Sequence, residues 1–157
     1  MMKPLLMITL LLLGVSVMST DTIVAKASIE EGFGIKLGEV MTPERLSKLE
    51  STGIKTQKGQ IRVFPFGKKN VRNVYFIATN AKGEVFEIFA TTMHDPDAFG
   101  NQHYKSFCLR YGKVPDERMV SWSDPQNSKR TLALIRDGSL TQIWYYDAVL
   151  SDRVKTQ

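Results

Sequence analysis

Two helix-opening devices, each followed by strand-rich sequence, constrain this chain more than any other feature. Thr42-Pro43-Glu44 offers a hydroxyl that can accept from a free N–H, a proline suited to the first helical position, and an acid at the positive end of the dipole. Asp95-Pro96-Asp97 repeats that chemistry. Each device precedes about three runs of β-branched and aromatic residues, so the order reads helix, meander, helix, meander. That order predicts an α+β fold, an antiparallel sheet with two helices packed on one face, and it is compatible with two αβββ repeats at 33–92 and 95–147.

The individual elements follow from local pattern. Ser28 to Leu37 reads as a lead-in and a short strand, and the first helix is expected to run to about Glu50 with Leu46 and Leu49 facing inward. Ile61–Phe64 and Val74–Ile77 read as strands, with Pro65 marking an edge or a bulge. Asn80–Gly83 is a turn, after which alternation puts Val85 and Glu87 on one face and Phe86 and Ile88 on the other. Gly100 and Asn101 weaken the start of the second helix, so its solid part is predicted from Gln102 to Tyr111. Tyr104, Phe107, Cys108 and Tyr111 make one apolar stripe there, and Gly112 stands at its end. Met119–Trp122, Thr131–Ile135 and Leu140–Tyr146 complete the strands, with Asp137-Gly138 as a hairpin signal. Asp147 to Val154 finishes as a short helix or an extended tail.

The N-terminus has a different character. Lys3 precedes an apolar run of 14 residues, Leu5 to Met18, shorter than the ~20 needed to span a bilayer. With the small-residue triplet Ala25-Lys26-Ala27 it predicts a signal peptide at 1–27 and a single domain at 28–157; cleavage after Ser19 is the alternative. The expected location is periplasmic or secreted, without stable membrane insertion after cleavage. Cys108 is the only cysteine, so the chain forms no internal disulfide and its stability rests on packing.

Charge excludes one class of partner. Loss of Lys3, Lys26 and Asp21 with the leader brings the net charge from +5 to +4, and the basic residues are scattered rather than striped with exposed aromatics. No nucleic-acid partner is expected.

Catalytic and metal chemistry has little to work with. His94, His103 and Cys108 offer imidazole and thiol, but His103 and Cys108 are five apart on a helix, about 140° around its axis. No glycine-rich phosphate loop, paired-cysteine motif or Ser-centred nucleophile elbow occurs. The expectation is a non-enzyme without metal or cofactor; the alternative is a small exported enzyme using His103 and Cys108.

The aromatics are the remaining signal. Trp122, Trp144, Tyr145 and Tyr146 lie on strands, with Trp144 and Tyr146 on one face and Tyr145 on the other. If helices cover one side of the sheet, aromatics on the other side form a binding surface, and these four are the candidate partner-binding residues.

Tyr111-Gly112-Lys113-Val114-Pro115 after a helix, Trp122 in the next strand, Leu132-Ala133-Leu134 and Tyr145-Tyr146-Asp147 together resemble a layout found in small exported bacterial proteins. That helix-plus-meander repeat is similar to the fold of the β-lactamase inhibitor protein and of the small outer-membrane assembly lipoproteins. The resemblance covers Tyr104 to Asp147 and, more faintly, Phe33 to Glu50. It implies a protein-binding or adaptor module of the cell envelope with a protein partner; an envelope polysaccharide-binding factor would use the same aromatics. The lipidated cysteine of the lipoproteins has no counterpart here.

Overall fold

The computed structural model describes residues 22–49, 56–58, 61–66, 73–93 and 95–152. It is an α+β protein dominated by one sheet. In chain order the elements are β1 (Thr22–Val24), β2 (Glu31–Gly32), β3 (Ile35–Lys36), α1 (Pro43–Lys48), β4 (Thr56–Lys58), β5 (Ile61–Phe66), β6 (Asn73–Thr79) and β7 (Val85–Thr92). They continue with α2 (Pro96–Tyr111), β8 (Met119–Ser123), β9 (Arg130–Asp137), β10 (Leu140–Asp147) and α3 (Ala148–Asp152). Eight strands form a sheet in the order β1-β8-β9-β10-β7-β6-β5-β4, and β2-β3 is a separate hairpin. All the pairings are antiparallel except β1 with β8. The meanders β5-β6-β7 and β8-β9-β10 meet in the middle, where β7 pairs with β10.

The first face of the sheet carries the main core. Ile77, Val85, Ile88, Ala90, Val120, Trp122, Leu132, Leu134, Ile143 and Tyr145 cluster there with Phe107 and Tyr111 of α2 and Ile35 of the hairpin. The predicted stripe on α2 is the one that packs: Phe107 and Tyr111 are buried, while Tyr104 and Cys108 lie partly buried against the same cluster. Gly112 ends the helix at φ +115°, and Trp122 Nε1 donates to its carbonyl at 2.8 Å. By contrast α1 has no buried residue and reaches the core only through Leu46 and Leu49 at its margin.

Several local expectations change on contact with the fold. α2 begins at Pro96 and runs through Gly100, which lies close against the sheet: a Cβ there would lie 2.8 Å from Thr141 Oγ1 and 2.9 Å from Arg136 Cγ. Glycine costs the helix about 1 kcal/mol and permits that contact. Asp95 sits at the cap in a left-handed conformation (φ 48°) with no side-chain cap bond, whereas Thr42 caps α1 through the Arg45 N–H at 3.1 Å. Ser28 to Leu37 folds as a hairpin whose turn, Phe33-Gly34, has both φ values positive. A phenylalanine in that conformation is strained, and its ring packs against Tyr75, His103 and Tyr145. A shift of register between Ala78 and Thr79 breaks the alternation in β7, so Val85 and Ile88 face the main core and Phe86 joins the opposite side. The final turn is a short helix, as one of the two expected outcomes, with Asp147 Oδ1 accepting from the Val149 and Leu150 N–H groups.

Residues 22–27, which the sequence assigns to the leader, are part of the sheet and core, with Ala25 only 3 % exposed. Glu50, the expected end of the first helix, and His94 lie outside the described residues.

Candidate functional site

The second face of the sheet is built by register. One row crosses the strands as Phe76, Phe89, Trp144, Ala133 and Ser121. The row beside it runs Ala78, Glu87, Tyr146 and Thr131; the row on the other flank runs Val74, Thr91, Gln142, Ile135 and Met119. Phe76 and Phe89 stand 6.2 Å apart between ring centroids, Phe89 and Trp144 5.5 Å, and Phe86 meets Tyr146 edge-on at 6.2 Å. These are the spacings of cross-strand aromatic pairs. Leu150 of α3 packs into the cluster.

Burial is uneven along this face. Phe86 and Phe89 are enclosed, but Phe76, Met119, Ala133, Ile135, Trp144 and Tyr146 are half-buried and Val74 is exposed. With the enclosed Phe89 of β7 between Phe76 and Trp144, the half-buried side chains of β6, β10, β9 and β8 form an apolar and aromatic strip. Thr91, Gln142, Ser121 and Thr131 are buried polar residues of this face, and two further polar groups stand out. Trp144 Nε1 is buried with no hydrogen-bond partner among the described residues. Glu87 is 4 % exposed, and desolvation pushes its carboxyl up to about 8. At neutral pH the carboxyl is therefore protonated in most molecules, and the strip carries little charge.

The four sequence candidates divide between the faces. Trp144 and Tyr146 are on the strip. Trp122 is fully buried (0 % exposed) beneath α2, and Tyr145 (5 %) packs against Phe33 and Phe107, so neither has surface to offer a partner. Alternation separates Tyr145 from its neighbours but cannot say which side is covered. The strip contains residues that the sequence did not single out, Phe76, Ile135 and Met119; their positions opposite Trp144 and Gln142 depend on strand pairing, which has no local signal.

His103 and Cys108 are also placed. His103 is on the flank of the packed stripe: its ring lies 4.4 Å from Phe99, 5.4 Å from Phe107 and 6.0 Å from Phe33, centroid to centroid. Burial among these rings holds its pKa below the ordinary value, so it is neutral at pH 7. Cys108 is half-buried against the main core. Among the described residues, no group of three or more His, Cys, Asp or Glu side chains could hold a metal ion. Comparisons of the chain with protein-family models, with curated proteins and with solved structures found no match.

Proposed function

We propose that this chain is an exported, non-catalytic binding or adaptor module of the periplasm or cell envelope, and that it engages a protein partner through the half-buried strip around Trp144 and Tyr146. One observation carries the reading: on the face opposite α2, half-buried apolar and aromatic side chains of β6, β10, β9 and β8 flank the enclosed Phe89, and the buried carboxyl beside them is largely uncharged. Half-buried aromatics backed by a rigid sheet lose little side-chain freedom on docking, which is why such residues dominate binding surfaces. The two meanders joined at β7 and β10 support a finer reading of the fold as two αβββ units, similar in layout to the β-lactamase inhibitor protein and the small outer-membrane assembly lipoproteins.

The test is capture from periplasmic extract by the purified chain and by a Trp144→Gln, Tyr146→Ser double variant, with circular dichroism as the check on folding. A protein captured by the wild type and lost at least tenfold by the folded variant supports the reading. Nothing above background, together with a clear hit on a glycan array, replaces it with the polysaccharide-binding one.

A further inference from the structure

The leader and the fold compete for the same six residues. Small residues at Ala25 and Ala27 invite a cut after Ala27, yet Thr22–Val24 runs parallel to β8 in the register Thr22 with Ser121, Ile23 with Trp122 and Val24 with Ser123. The hydroxyls of Thr22 and Ser121 are 2.6 Å apart. Beyond the strand, the Ala25 N–H donates to the Ser123 carbonyl at 2.8 Å and the Lys26 N–H to the Tyr111 carbonyl at 2.9 Å, the latter satisfying one of the free acceptors at the end of α2. Ala25 is buried in the main core, and Ile23 and Ala27 pack against it. A mature chain beginning at Ser28 would lose all of this and leave the edge of β8 unpaired beside Trp122, the largest fully buried side chain.

We infer that the leader is removed upstream of Thr22, by hydrolysis of the Ser19–Thr20 peptide bond. One water is consumed; Ser19 leaves with the new carboxylate on the released fragment Met1–Ser19, and Thr20 keeps the nitrogen as the new α-amino group. Ser19 supplies the small residue at the cut, directly after the apolar run that ends at Met18. Thr20 and Asp21 then precede a complete β1. This inference rests on the export reading and adds the processing site to it.

The experiment is expression of the full chain in a bacterium with two membranes, followed by intact-mass measurement and N-terminal sequencing of the product. The expected first residue is Thr20, and Ser19→Tyr is expected to accumulate the precursor. A first residue at Ser28, or anywhere beyond Thr22, overturns the inference while leaving export intact; unchanged processing of the Ser19→Tyr variant also overturns it. An uncut chain retained in the cytoplasm overturns export and processing together. As a second measurement, a chain made to begin at Ser28 should unfold several degrees below one beginning at Thr20, and equal midpoints count against the structural argument.

Discussion

Replacing Glu87 with glutamine should remove a large part of this protein's sensitivity to alkali. The folded carboxyl releases its proton near pH 8 because burial penalises the charged form, while in the unfolded chain it does so near the ordinary glutamate value of 4.5. Between those values the native state holds a proton that the unfolded state has lost. Stability therefore falls as pH rises, by about 1.4 kcal/mol per pH unit at the steepest. The contribution is fully present below about pH 4.5 and gone above about pH 8, a total of roughly 5 kcal/mol from those two values. Glutamine has nearly the same shape and cannot ionise. Urea unfolding followed by the fluorescence of Trp122 and Trp144, at intervals from about pH 5 to pH 9, should show the wild type losing several kcal/mol relative to the variant. Comparing the two chains at each pH cancels every other titrating group, His103 included. If the two stability curves stay parallel across that range, Glu87 is not the buried neutral acid described above.

Other perturbations follow from single contacts. Gly32→Ala would place a methyl 2.4 Å from Cε2 of Tyr145, so it should cost about 1–3 kcal/mol in urea unfolding, whereas Gly34→Ala, which meets nothing, should cost only the strain of its positive φ. Asp147→Ala removes the carboxylate that Arg130 approaches at 2.9 and 3.0 Å and that caps α3; with Asp147 2 % exposed, a loss of about 3–5 kcal/mol is expected by denaturant melt. Burial raises the pKa of Asp124, but hydrogen bonds from Ile29, Gln126, Ser28 and Asn127 together outweigh that and hold it below the ordinary 3.8. Asp124→Asn should therefore cost about 2 kcal/mol at neutral pH, and the gap to the wild type should narrow as pH falls below 3.8 through the folded value.

The parts of this fold legible in sequence are those with a local cause. Thr42-Pro43 marks α1, the spacing of Tyr104, Phe107, Cys108 and Tyr111 marks the buried side of α2, and glycine next to Asp137 marks the β9–β10 hairpin, whose two-residue loop is Gly138-Ser139. What was not legible depends on distant residues. Gly100 reads as a weak helical position until Thr141 and Arg136 are found against it. Phe86 reads as a partner of Ile88 until the bulge in β7 is known. β1 is hidden because Thr22–Val24 is too short to declare itself and follows the apolar run Leu5 to Met18, and only β8 gives it a role. The candidate site was half legible: period-two alternation groups Trp144 with Tyr146 but leaves Trp122 unplaced, since covering a face is a decision of α2.

The pairing of β1 with β8 also sets an order of events. Thr22 and Ser121 are 99 positions apart, so a chain that emerges N-terminus first carries a finished edge strand long before the strand it belongs to exists. Ser28 and Ile29 are anchored to Asp124, again near β8, so this whole N-terminal stretch must wait. The rest of the sheet pairs through neighbouring hairpins and the β7–β10 contact, and the cost of closing the longest loop leads us to expect that β1 joins last. Until then the outer edge of β8 is open to the same edge on another copy. On that order, the interval in which the β8 edge would invite aggregation falls near the end of folding, and its length is set by how fast the three residues of β1 find their place.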